Sequence, residues 1–192
     1  FLAVAERAAG SLNDPDQKRW LDLLETEHEN LLEASSFACG DGGDPDMGLR
    51  LVLALSWFWQ HHAHYEIART ALSQAIGQVP TEGNGPQLAQ VRLALGRISS
   101  VQGDPGGAEH HYSEARALAE ADGDSQTLAI VSLDLAMLRM DVADWEGAET
   151  LLDRAEQAFP ERSAGKARTH SLRARMAHRL GNLDTARREY EL

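Results

Sequence analysis

The sequence predicts an all-α chain of stacked antiparallel helical hairpins, on three observations. Of its 192 residues, 29 are Ala and 26 are Leu, both strong helix formers. No stretch shows sustained period-2 alternation of β-branched residues, so no strand is expected. A small-residue pattern also recurs at a nearly fixed interval: Ala68, Ala108, Ala148 and Ala186 stand 40, 40 and 38 residues apart.

Other positions follow the same interval. Leu72, Tyr112, Leu152 and Tyr190 stand four residues after each Ala, and Ala75, Ala115 and Ala155 stand seven after. Pro80 and Pro160 close the first and third units twelve residues on. Thirteen residues before the anchors stand Leu55, Leu95, Leu135 and Arg173, so the fourth unit breaks the apolar pattern. Small residues at the anchor and seven positions later let two helices approach to about 8–10 Å. The bulky residue between them lies one turn along the same face and fills the groove.

Ten helices are expected, over 1–10, 15–38, 45–61, 65–78, 86–102, 105–121, 125–142, 145–158, 163–180 and 183–192. Their punctuation is explicit. Gly103-Asp104-Pro105 supplies a helix stop, an N-cap and a first-turn proline. Asp14-Pro15 and Asp44-Pro45 open helices the same way, and Gly123-Asp124 and Gly181-Asn182 mark further turns. The run Gly77–Gly85 has no periodic pattern and is expected to be an exposed loop between units. Residues 1–46 then read as N-terminal capping helices, and 47–192 as four hairpins, the last truncated, in one continuous domain. A start at Phe1 and an end at Tyr190-Glu191-Leu192, inside a helical pattern, suggest a segment of a longer protein.

Charge narrows the function classes. Eighteen Lys plus Arg against thirty Asp plus Glu give a net charge of −12, which argues against direct nucleic-acid binding. The lone Cys39 excludes an intramolecular disulfide framework and fits a reducing, cytoplasmic setting. No apolar run approaches the roughly 18 residues of a membrane span, and no signal peptide is visible. The charge is unevenly spread: residues 161–192 carry eight basic and four acidic side chains.

The small-residue and aromatic spacing with a unit-closing proline resembles tetratricopeptide repeats (TPR). The best-matching unit runs from Ala129 to Pro160, with Leu135-Ala136, Trp145, Ala148, Leu152, Ala155 and Pro160 at the family's positions. The 38–40 residue period departs from the usual value of about 34. Residues 1–75 carry a further resemblance, through Phe1–Ala8, Trp20-Leu21, Leu24-Glu25, Glu27–Leu31, Glu33-Ala34, Gly48–Leu51, Leu55, Trp57-Phe58-Trp59 and Ala68–Ala75. That order is similar to the segment after the nucleotide-binding and winged-helix parts of bacterial STAND-type ATPase transcriptional regulators, SARP-like or LuxR/MalT-like. The resemblance implies a TPR-like right-handed superhelix with no catalysis of its own, sensing an effector or binding a protein segment in a concave groove. Other domains of the parent chain would be its neighbours. A plain scaffold for assembly, without sensing, is the alternative, and a homo-oligomer stays open. No Gly-x-x-x-x-Gly-Lys-Ser/Thr loop is present, so the resemblance places ATP upstream of Phe1 and no cofactor in this segment.

Candidate concave-face residues are Arg50, Trp57, Gln60 and His61 in the first unit, Arg97 in the second, and Arg168, Arg175 and Arg179 in the fourth. Trp57, Phe58 and Trp59 span most of a helix circumference and cannot share one seam. By repeat position Trp59 faces Ala68 and Leu72, Phe58 faces the 15–38 helix, and Trp57 faces the groove; burial of all three is the competing arrangement. Arg168, Arg175 and Arg179 share one helical face, fitting either an acidic ligand or a solvated surface. The remaining clusters read as structural. His61-His62-Ala63-His64 and His110-His111 lack a Cys or a Glu-x-x-His partner and read as solvated turn or capping residues, not metal ligands. The acidic run Gly40–Asp46 lacks the EF-hand order and reads as a loop ending in an N-cap. No catalytic residues are assigned: Cys39 has no evident base, and Glu25 with Glu29 reads as a charged helix face.

Overall fold

A computed structural model describes residues 1–11, 15–40 and 42–191, which are helical with no strand among them. The described helices are α1 (Leu2–Gly10), α2 (Gln17–Thr26), α3 (His28–Ala38), α4 (Pro45–His61), α5 (Tyr65–Gln78), α6 (Gly85–Val101), α7 (Pro105–Asp122), α8 (Ser125–Asp141), α9 (Trp145–Ala158), α10 (Ala164–Arg179) and α11 (Leu183–Glu191). Contacts divide the chain into two units, Phe1–Ile98 and Ser99–Leu192, with the boundary inside α6. In the first, α4 packs on α5, α1 and α3; in the second, α8 packs on α7 and α9, and α10 on α9 and α11.

The expected 15–38 helix is two helices. Glu27, at φ −95° and ψ 8°, leaves helical geometry between α2 and α3. One backbone bond reaches it from each side: Glu27 N–H donates to Leu23, and Leu31 N–H donates to Glu27. No Gly or Pro signals it, because the cause lies across the fold: the kink seats His28 against Phe58 and Trp59. α2 begins at Gln17, after Asp16; the expected cap Asp14, and Asp41 of the acidic run, lie outside the described residues.

The repeat shows directly in burial. Ala68, Ala108 and Ala148 are wholly buried and Ala186 nearly so, as are Leu72, Tyr112, Leu152, Ala75, Ala115 and Ala155. Tyr190, the last member of the bulky series, is exposed. Proline ends the units as expected. Val79 and Phe159, each before a proline, are extended and stop α5 and α9.

The turns repeat as closely as the seams. Ala63, Gly103, Ala143 and Gly181 all have positive φ (59°, 77°, 60° and 78°), five residues before each anchor. The next residue then donates its N–H five positions back: His64 to Trp59 (2.8 Å), Asp104 to Ser99 (2.9 Å), Asp144 to Arg139 (2.9 Å) and Asn182 to Ala177 (2.8 Å). This is the hydrogen bond of a left-handed helix stop, which satisfies carbonyls that the helix end leaves open. Glycine announces it at two of the four turns; alanine adopts it at the other two against its own preference.

Between α3 and α4 the chain passes close to itself at Gly43 and again at Gly48. A Cβ at Gly48 would stand 2.8 Å from Cys39 Sγ and 3.1 Å from the Ala38 carbonyl carbon, so only glycine lets the first turns of α4 cross the end of α3. Asp44 caps α4 as expected, accepting from Met47 N–H at 3.1 Å. No described helix is long and apolar enough to cross a membrane.

Candidate functional site

The aromatic run of α4 sorts by depth. Phe58 and Trp59 are fully buried, and Trp57 is half-buried at the edge of the same core. Phe58 meets the His28 ring edge-on at 5.6 Å, so it does face α3. Trp59 shares its core with Ala68 and Leu72, but its indole N–H also reaches α3, donating to His28 Nε2 at 3.2 Å. A buried tryptophan needs such a partner, and the kink at Glu27 supplies it. Trp57 lies flat on His61, centroids 4.6 Å apart and planes 16° from parallel. Gln60 bonds back to the Ser56 carbonyl of its own helix at 3.0 Å, and Arg50 pairs with Glu6 of α1 at 2.6 Å.

Around these rings the structure assembles a cluster not legible as one in the sequence. His62 follows α4 as its C-cap, His64 precedes α5, Glu25 sits in the last turn of α2 and His28 begins α3. His28 and His64 stack at 4.8 Å, and His62 and His64 lie 14° from parallel at 6.2 Å. His62 Nδ1 stands 3.3 Å from Glu25 Oε2. Burial, with the neighbouring His64 ring, holds the His28 pKa below the ordinary histidine value. The expectation of solvated capping residues fails here. His64 holds the N-cap position of α5 and makes no side-chain capping bond, and its Nε2 is buried without a hydrogen-bond partner. Its ring turns inward, onto His28. One donor atom from each of Glu25, His62 and His64 lies within 4.8 Å of the other two; His110, His111 and Glu114 on α7 form a second such group.

The Arg residues of α10 have separate fates. Arg168 pairs with Asp134, which is buried in the middle of α8. Arg179 donates to the Met140 carbonyl at 3.0 Å and lies 3.4 Å from Asp141, closing the C-terminal end of α8. Arg175 is exposed. Two of the three residues on this face are thus bound to α8, and an anion would have to compete with Asp134 and Asp141 for them. Arg97 is half-buried on α6. The candidate residues therefore fall in both units: Arg50, Trp57, Gln60, His61 and Arg97 in the first, Arg168, Arg175 and Arg179 in the second.

Sequence reasoning missed a cavity of about 490 Å³ in the first unit. Leu32, Ser35 and Cys39 of the α3 side face Ile67, Thr70 and Ala71 of α5 across it. Short side chains on both walls leave the space open, and pairing Ser35-Ser36 with Ala71 was the one signal available in the sequence. The hydroxyls of Ser35 and Thr70 donate to backbone carbonyls of their own helices, leaving a largely apolar lining. Burial pushes the Cys39 thiol pKa up, so it is a poor nucleophile.

No protein-family model matches the chain, and no curated protein matches it. Among solved structures it is similar to the crystal structure of BtubC (BKLC) from P. vanneervenii, at 18% identity and a TM-score of 0.69, over 99% of this chain and 87% of that one. At that identity the likeness is one of fold.

Proposed function

We propose that this chain is a non-catalytic, TPR-like interaction module that senses an effector for a larger bacterial regulator of the STAND type. Its hairpins would be units of a right-handed superhelical array. The observation that carries the reading is the recurrence, in four hairpins, of one left-handed turn and one buried small-residue seam at the same spacing. Helical hairpins built to one register bury their seams against each other and leave their outer faces to bind. The cavity between α3 and α5 favours sensing over plain scaffolding. A scaffold needs no opening of that size, whereas about 490 Å³ with an apolar lining suits a small effector.

In this reading the effector favours one state of an ATPase switch encoded upstream of Phe1, by binding that state more tightly. The test is the parent chain: ATP turnover is measured with residues 1–192 present, and with them removed. The sensor reading expects turnover to change on removal, and Ala71→Phe, which fills the cavity, to mimic one of the two switch states. A parent chain with no phosphate loop, or turnover indifferent to both changes, leaves the scaffold reading standing. If the expected concave face, with Trp57 of α4 and Arg97 of α6, also works, Trp57→Ala with Arg97→Ala weakens partner capture while the melting temperature holds.

A further inference from the structure

We propose that Glu25, His62 and His64 form a binding site for a divalent transition-metal ion, with Zn²⁺ the best fit. The donor set is two imidazole nitrogens and one carboxylate oxygen, the kind that zinc takes in sites that leave a position open to water. His62 Nδ1 and Glu25 Oε2 are 3.3 Å apart, close to the roughly 3.3 Å between two donors on a tetrahedral ion with bonds of about 2.0–2.1 Å. All three donors lie within 4.8 Å of one another, near enough for small side-chain adjustments to bring them onto one ion. Glu25 and His62 are partly exposed (54% and 30%) and give the ion a way in.

The repeat supplies an independent argument. At the position of His64 the other three hairpins carry Asp104, Asp144 and Asn182, and each of those accepts a bond from a backbone N–H in the first turn of its helix (2.9, 3.0 and 3.2 Å). His64 gives up that cap, turns its ring inward and leaves Nε2 buried without a partner. An uncompensated buried nitrogen costs stability unless something binds it, and in the tautomer that leaves Nε2 unprotonated its lone pair can take a cation. His28 supports the site without joining it: its ring backs His64 at 4.8 Å, while its own Nε2 accepts from Trp59. Supporting contacts of this kind hold ligands in place. The group on α7 is different in kind. His110, His111 and Glu114 share one helix, and His110, 66% exposed, stands 3.2 Å from Glu114 as an ordinary i,i+4 pair.

The experiment is calorimetric titration of the untagged, chelator-treated protein with ZnCl₂, backed by the visible spectrum of the Co²⁺ form. The expected result is one ion per chain and a melting temperature that rises with free zinc. His64→Asn is the decisive variant, because it installs the cap that the fourth hairpin uses and so keeps the fold. It should weaken zinc binding by at least about tenfold with its circular dichroism unchanged. Glu25→Gln and His62→Ala, at partly exposed positions, should weaken it likewise, and His110→Ala with His111→Ala should not. Absence of zinc binding in the unmodified chain overturns the proposal. So does binding that survives both His64→Asn and His62→Ala, or that disappears only in the α7 variant.

Discussion

Two hairpins break the repeat with a charged or titratable residue, and their contrast separates a structural exception from a functional one. In the second unit Arg173 stands where the other hairpins have Leu55, Leu95 and Leu135. It is fully provided for: Glu149 accepts from Nε at 2.9 Å, and Asp153 and Glu156 take the two terminal nitrogens. Burial works against the charge, but bonds and attraction from Glu156 and Glu149 win, raising the Arg173 pKa, and the Arg173 bond lowers that of Glu156. In the first unit His64 stands where the others have a capping Asp or Asn, and nothing completes it. One exception is closed by its own neighbours, and the other is left with an open valence. The unsatisfied one is where a ligand has something to gain.

The largest effect tests the frame that both exceptions depart from. Ala148→Phe forces an aromatic ring into a wholly buried seam between α8 and α9 and should cost about 3 kcal/mol by overpacking. Unchanged urea denaturation would mean that these alanines do not set the helix spacing. Next comes the closed exception. Arg173→Met keeps the length but leaves three carboxylates facing one another, and should cost about 2 kcal/mol, discounted because those carboxylates are part-exposed. Much of that loss should return in about 1 M salt, which screens the carboxylates from one another. A loss that persists in salt would point to packing and not charge.

Ala143→Gly probes the turn that both hairpins share. It relieves an alanine held at φ 60° and should stabilise by about 0.5–1 kcal/mol; a fall in melting temperature would show that the left-handed turn carries no strain. The smallest effect concerns the open exception. Because the folded state lowers the His28 pKa, the unfolded chain binds that proton more readily, so its contribution is present above the usual value of 6.5 and lost as pH falls below it. In metal-free protein, the melting temperature should drop more steeply from pH 7 to 5 than in His28→Gln. Parallel curves would remove His28 from the account.

Legibility followed the range of the interactions. Nine of the eleven described helices match expected segments to within about two residues, the usual uncertainty of helix ends, because caps, glycine stops and prolines act on their immediate neighbours. The α2–α3 break escaped because its cause, the packing of His28 on Phe58 and Trp59, lies some thirty positions along the chain. The Arg face of α10 was legible as a face, but Asp134, which claims Arg168, sits inside the apolar run of α8 and carries no periodic signal. His62 and His64 were visible as a histidine run, whereas Glu25 read as a charged helix face and His28 only as part of the Glu27–Leu31 segment.

Taken alone, the sequence determined the helices, their turns and the small-residue seams, since these rest on backbone hydrogen bonding and on spacing along one chain. Which polar groups meet was decided by tertiary structure. Glu25 and His62 lie far apart in sequence, and Arg168 and Asp134 almost as far. Such pairs come together only when whole helices pack, so it took packing to show that Arg173 is satisfied while His64 is not.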